Sequence, residues 1–288
     1  MAKQKKRYKR LSRSRGGDIT LVIFLILFTI LMMIPLFYGF LMSLKPASEL
    51  WKFPPTLWPQ NPTLKNYKDI LNVMTETWVP IERYLFNSLL YTISGTIGHI
   101  VLGSMAAYPL SRYKFPGSKG IFKLIRSSLM FSGAVLAIPN YLIMNGLGLI
   151  DNYMAVILPT FAGTLGLFLM KQFMDQMIPM PLLESAEIDG AGEWAKFSKI
   201  VMPLVKPAWL TLIIFDVKDL WQQGASAYIY DEPLKTLPYA LSQITSSGIA
   251  RAGIAQAISV IMWLPPLLVF IISQSHVIET MATSGMKD

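Results

Sequence analysis

The sequence predicts an all-α polytopic membrane protein, and three observations carry that expectation. Of its 288 residues 53% are hydrophobic and only 15% charged, a balance that suits a membrane protein better than a soluble domain. The runs near 19–44, 85–111, 127–150, 152–170 and 252–275 contain no Asp, Glu, Lys or Arg, and about 20 apolar residues suffice to cross a bilayer. The net charge of +9 falls between these runs rather than within them. Lys3, Lys5, Lys6, Arg7, Lys9, Arg10, Arg13 and Arg15 precede the first run, and Arg112, Lys114, Lys119, Lys123 and Arg126 fill the gap after the second. Basic residues collect on the cytoplasmic side, so this distribution predicts six spans with both termini in the cytoplasm. It also removes the need to read the positive charge as a nucleic-acid surface.

Taken in order, residues 1–18 form a basic cytoplasmic tail and 19–275 the membrane domain, with spans at about 19–43, 85–110, 125–147, 152–171, 204–223 and 254–274; residues 276–288 form a second cytoplasmic tail. The first run is too long for the apolar core of a cleaved signal and reads as an anchor, with Pro35 a possible kink. The stretch 45–83 is rich in Pro, Trp and Asn and predicts an external loop with little regular structure, apart from a short surface helix near 65–73. Trp51, Trp58 and Trp78 suit the headgroup level. In the second span Gly95, His99, Gly103 and Ala107 recur every four residues, a small-residue seam along which another helix can approach. His99 inside that seam is either a pathway residue or a neutral interhelical hydrogen-bonding group. Pro139-Asn140 should interrupt the third span, and 146–152 is short enough to hold the third and fourth spans together.

Between the fourth and fifth spans, over 178–203, the chain turns polar. Pro179 and Pro181 stop the preceding helix, and 182–188 can form about two turns with Glu184 and Glu187 near its start, where the helix dipole favours carboxylates. Asp189-Gly190 suits a tight turn because both residues tolerate positive φ. Trp194, Phe197 and Ile200 then recur at helical spacing. A helix, a turn and a helix at a membrane surface, with exposed carboxylates, suit docking into a groove on a soluble partner.

The fifth span carries Asp216, Lys218 and Asp219, followed by Trp221-Gln222-Gln223. Ten residues beyond Lys206, at about 1.5 Å each, Asp216 stands roughly 15 Å into the membrane, near its middle. It should face the protein interior, a water-filled cavity or a basic partner, with Asp219 on the same face and Lys218 elsewhere. A pathway role and an interhelical ion pair both fit. Trp221 offers a flat apolar face for a sugar, and Gln222 and Gln223 offer amides for hydroxyls; interfacial anchoring explains the Trp as well.

The order Glu184, Ser185, Ala186, Gly190, Ile200 and Pro203 closely resembles the EAA loop of ABC importer permeases, with Ser185 for the usual Ala and Met202 for Leu. The stretches 107–117, 228–239 and 278–288 are also similar to the sugar-permease branch, so the resemblance covers nearly the whole chain. It implies a type I ABC importer transmembrane domain in a bacterial cytoplasmic membrane, similar to the second permease subunit of maltose-type systems. Glu184, Ser185, Ala186, Glu187, Ile188, Asp189, Gly190, Ala191 and Gly192 would then couple to the ATPase. Asp216, Asp219, Trp221, Gln222, Gln223 and His99 become pathway candidates. Tyr228, Tyr230, Asp231, Glu232 and Thr236 become candidates for contact with an extracytoplasmic solute-binding protein. The implied partners are a homologous permease, two copies of a cytoplasmic ATPase that bind the ATP and Mg, the binding protein, a sugar of oligosaccharide size, and lipid.

The chain lacks a Gly-x4-Gly-Lys-Ser/Thr loop and a Gly-x-Ser-x-Gly elbow, and its two histidines, His99 and His276, lack metal-ligand spacing. It has no cysteine. No catalytic or metal site is expected, which leaves a transport subunit as the leading class. An ABC permease for another solute and a self-contained secondary transporter are the alternatives; no inverted repeat supports the second.

Overall fold

The computed structural model describes residues 15–75, 79–131, 133–224, 227–246 and 252–284. Most of the expected basic tail, Trp78 and the last four residues lie outside them. The described residues are helical, without strands. Four helices are long and apolar enough to cross a membrane, or six if each of two bent helix pairs counts as one span.

The first helix, α1 (Arg15–Ser43), runs through Pro35 and presents apolar side chains all round, packing within the chain chiefly against the last helix. The loop that follows holds α2 (Ala47–Leu50) and α3 (Lys65–Thr75). It is ordered by buried polar groups. The Glu49 carboxylate accepts bonds from the Gln60 and Asn61 backbone N–H groups at 2.9 and 2.8 Å, and Asn66 Nδ2 donates to the Ser43 and Lys45 carbonyls. Burial works to raise the Glu49 carboxyl, yet these bonds overcome it and hold the group below its ordinary value.

Helix α4 (Ile81–Arg112) is the central post of the bundle, because it packs against four later helices. Its small-residue seam is buried as the spacing predicts: Gly95, His99, Gly103 and Ala107 all turn inward. At Gly103 a Cβ would sit 3.5 Å from Leu167 N, so the two backbones approach closely there.

The third span differs from expectation. The chain forms α5 (Ser118–Ser128) and α6 (Gly133–Gly146), bent from each other by 110°. Helix α6 continues through Pro139, and the break falls before it. Apolar residues alone cannot report such a break, since α5 is strongly amphipathic and Arg126 in its last turn suits a surface helix. Among the described residues of α6 only Met144 is buried, so the short external turn does not draw this helix tightly against the next.

That next span comprises α7 (Tyr153–Phe161) and α8 (Thr164–Met177), interrupted at Ala162-Gly163. The polar loop then forms α9 (Met180–Ile188), α10 (Glu193–Ala195), a six-residue π turn (Lys196–Val201) and α11 (Met202–Leu204). A 72° bend leads to α12 (Lys206–Trp221). A 3₁₀ turn (Glu232–Leu234) and α13 (Leu237–Thr245) then precede the long α14 (Ala252–Ser284).

Two cores hold the two ends of the bundle. One joins Ala107, Met170, Met174, Val205 and Leu212 with Leu183 and Phe197 of the polar loop. The other joins Ile70, Tyr84, Trp221, Leu241 and Ile258, so α3 and α13 are wedged between spans.

Candidate functional site

The polar loop is a rigid projection. Pro179 caps α9, Pro181 lies in its first turn, and Gly190 ends it at φ +81°. Ala191 N donates to Ala186 O and Gly190 N to Glu187 O, both at 2.9 Å, the paired closure of a Schellman motif. One face of α9 buries Leu183, while Glu184, Ser185, Glu187, Ile188, Asp189 and Gly190 are exposed. Ile188 is 86% exposed and Trp194 66%, so the projection offers apolar anchors as well as carboxylates. The helix starts at Met180, which puts Glu184 mid-helix and Glu187 near its end rather than in the first turn. The π turn also splits the anticipated apolar face: Phe197 is buried and Trp194 is not.

What fixes the projection to the bundle is an ion cluster that sequence reasoning missed. The buried Lys196 ammonium donates to Glu187 Oε2 at 3.1 Å and also pairs with Glu193, whose Oε2 accepts from Tyr108 Oη of α4 at 2.9 Å. Nearby, Arg112 Nη1 donates to Ile178 O at 3.0 Å and Nη2 donates to Met174 O, closing the carbonyl end of α8. The bonds to Glu193 and Glu187 hold Lys196 above its ordinary value, and the bond from Lys196 holds Glu193 below its own. A raised ammonium stabilises the fold below its ordinary titration range and loses that contribution as pH rises through the folded value. A depressed carboxylate contributes above its ordinary range and loses that as pH falls through the folded value. The cluster is therefore intact across neutral pH. Lys196→Met is expected to raise hydrogen exchange over 180–203 at pH 7, and to remove the extra alkaline loss of protection, beyond the intrinsic base-catalysed rise, that is expected of the unaltered protein.

Inside the membrane the structure joins two residues 117 positions apart. His99 Nδ1 lies 3.0 and 2.9 Å from the Asp216 carboxyl oxygens, and Nε2 lies 2.9 Å from Gly163 O. Nε2–H donates to that carbonyl, which belongs to the residue that caps the start of α8 at the break from α7. Nδ1 then shares a second proton with the carboxyl group. Whether that proton resides on His99 or on Asp216, the pair as a whole is neutral, which suits its depth. A Cβ at Gly163 or Gly166 would overlap the imidazole, so both glycines make room for the ring. Asp216 is thus an interhelical partner, and it does not share the face of Asp219. The sequence held one signal for this pairing: His99 and Asp216 are both ionisable residues near mid-membrane, each in need of a partner.

The exposed face of α12 carries Phe215, Lys218, Asp219 and Gln222. Lys218 therefore stands beside Asp219, 3.7 Å away, rather than elsewhere on the helix. Trp221 faces the opposite way and is buried with Tyr84 and Leu241, so it offers no ring to a solute. Gln223 is half-buried and its carbonyl accepts from Thr236 Oγ1 at 2.9 Å.

The outer loop is clamped to the bundle. Asp151 Oδ1 accepts from Tyr230 N and Asp231 N, Tyr84 Oη donates to Glu232 Oε1 at 2.8 Å, and Lys235 Nζ donates to Glu232 Oε2 at 2.7 Å. Tyr228 stacks on Tyr141 of α6. Glu232 and the buried Thr236 hold the loop's shape, while Tyr230 and Asp231 remain exposed.

A helical bundle with several candidate spans, a stapled polar projection and a clamped loop suits the membrane subunit of a transport system. No protein-family model matches the chain. It is 30% identical to the inner membrane ABC transporter permease protein YcjP of Escherichia coli (strain K12), over 91% of this chain and 94% of that protein. It is 30% identical to the arabinooligosaccharides transport system permease protein AraQ of Bacillus subtilis (strain 168), over 93% and 95%. It is 31% identical to the polygalacturonan/rhamnogalacturonan transport system permease protein YtcP of the same organism, over 92% and 96%. The fold matches a chain of a bacterial ABC transporter involved in alginate import with a TM-score of 0.77, at 21% identity and over 92% of this chain and 99% of that one. The chain belongs to the ABC transporter permease family; it is a multi-pass protein of the cytoplasmic membrane and a transport subunit, not an enzyme.

Proposed function

We propose that this chain is the permease subunit of an ATP-driven, binding-protein-dependent importer of sugars, of oligosaccharide size. It supplies half of the pathway, and a homologous second permease supplies the rest. Six spans with both termini in the cytoplasm follow if α5–α6 and α11–α12 each count as one crossing, in keeping with the basic residues between the second and third spans. ATP and Mg bind to two partner ATPase subunits. The observation that carries the reading is the Glu184–Gly192 projection, helix-capped, exposed and stapled through Lys196 to α4, so that a push on it moves the bundle as a body. Relatives named for arabinooligosaccharides and for polygalacturonan support a sugar as cargo. Exposed Tyr230 and Asp231 are the proposed contact for the solute-binding protein on the outer side.

Affinity purification of the tagged chain from native membranes in mild detergent, followed by mass spectrometry, tests this. The expected result is a complex with a second permease, an ATPase and a binding protein. Recovery of the chain alone, or with copies of itself, would overturn the reading in favour of a self-contained carrier.

A further inference from the structure

Charged side chains that face outward at membrane depth require an explanation. Lys218 and Asp219 follow Lys206 by 12 and 13 residues in α12, which puts them roughly 18–20 Å along a crossing whose apolar core is about 30 Å thick. Their side chains are 61% and 74% exposed. Lipid cannot be the neighbour of such a pair without a large cost. Phe215 precedes them by one turn and Gln222 follows by one, on the same exposed strip. Meanwhile the other acid of this helix, Asp216, is consumed by His99. The strip is therefore a separate polar surface that needs water or a polar partner beside it.

We propose that Phe215, Lys218, Asp219 and Gln222 form a solute-contacting strip that selects uncharged sugars over acidic ones. This rests on the importer reading above. The strip supplies an aromatic face for sugar C–H groups, an ammonium and an amide as donors, and a carboxylate and an amide as acceptors for hydroxyls. Because Lys218 and Asp219 lie 3.7 Å apart, their fields largely cancel beyond the strip. A neutral polyol meets matched donors and acceptors, whereas a uronate meets Asp219 as a like charge wherever it approaches Lys218.

Removing either charge should unmask the other. The test uses the whole transporter in cells and follows uptake of whichever labelled probe the unaltered complex carries best among arabinotriose, maltotriose and diacetylchitobiose, in competition with digalacturonate. Asp219→Asn is expected to strengthen competition by digalacturonate about fivefold, and Lys218→Gln to weaken it by a similar factor, the scale of one charge pair near 4 Å in water. Phe215→Ala should raise the KM for the neutral probe. Undisturbed competition in both charge variants would overturn the proposal. Loss of the second permease from the purified complex of either variant would also overturn it, since the strip would then be a subunit contact. Failure of the unaltered complex to take up any of the three probes would count instead against the sugar reading from which the proposal starts.

Discussion

Replacing Asp216 by Ala is expected to cost the bundle about 1–3 kcal/mol, the usual penalty for leaving a buried polar group without its partner. His99 would keep its bond to Gly163 O but face an empty site at Nδ1. Asp216→Asn should be nearly silent by comparison. The Asn amide can donate to Nδ1 while Nε2–H still donates to Gly163, and the pair remains neutral, as it is in the unaltered protein. Fluorescence-detected gel filtration after graded heating of the solubilised protein checks both. Equal damage from Ala and Asn would show instead that the shared proton resides on His99 and that the pair is an ion pair, which Asn cannot form. Gly166→Ala should be as harmful as Asp216→Ala, because its Cβ overlaps the His99 ring. Pairing it with His99→Ala should recover part of the loss, a non-additivity that contacting residues display.

The second large effect is on coupling. Gly190 sits at φ +81° with nothing within 4 Å of the position a Cβ would take, so a substitution there is penalised by backbone conformation alone. A left-handed residue with a Cβ costs roughly 1–2 kcal/mol, more than the Schellman closure of a nine-residue helix easily absorbs. Gly190→Val is expected to reduce solute uptake at least about tenfold, which is the rate consequence of roughly 1.4 kcal/mol, and to leave the chain at normal abundance in the membrane. Gly190→Asn should retain most uptake, since Asn adopts this conformation more readily. Uptake preserved in the Val variant would mean that the turn does not transmit motion.

How much of this could be read without coordinates depended on the range of the interaction. The projecting loop was legible because its parts are local: Pro179 and Pro181 before a helix, Gly190 after it, each acting within a few residues. The seam of Gly95, His99, Gly103 and Ala107 was legible for the same reason, since helical period alone puts these residues on one face. The bend before α6 was not, because Pro139 looks like a break in the sequence but is accommodated within the helix, and the chain turns elsewhere. Lys218 was misplaced by treating Asp216 and Asp219 as one acidic face; i and i+3 residues differ by about 60° around the axis, and packing against α4 decided which of them turned inward.

By itself, then, the sequence determined a helical membrane protein and the capped projection with its Gly turn. These follow from composition and from forces that act over one or two helical turns. Only the tertiary structure decided that Asp216 answers His99 across 117 residues, that Lys196 binds Glu187 and Glu193 beneath Tyr108, and that Trp221 is buried while Lys218 and Asp219 are not. The physical reason is that helical period specifies a side chain's direction about its own axis, whereas its partner depends on which helices meet, and at what rotation, once the whole bundle has packed.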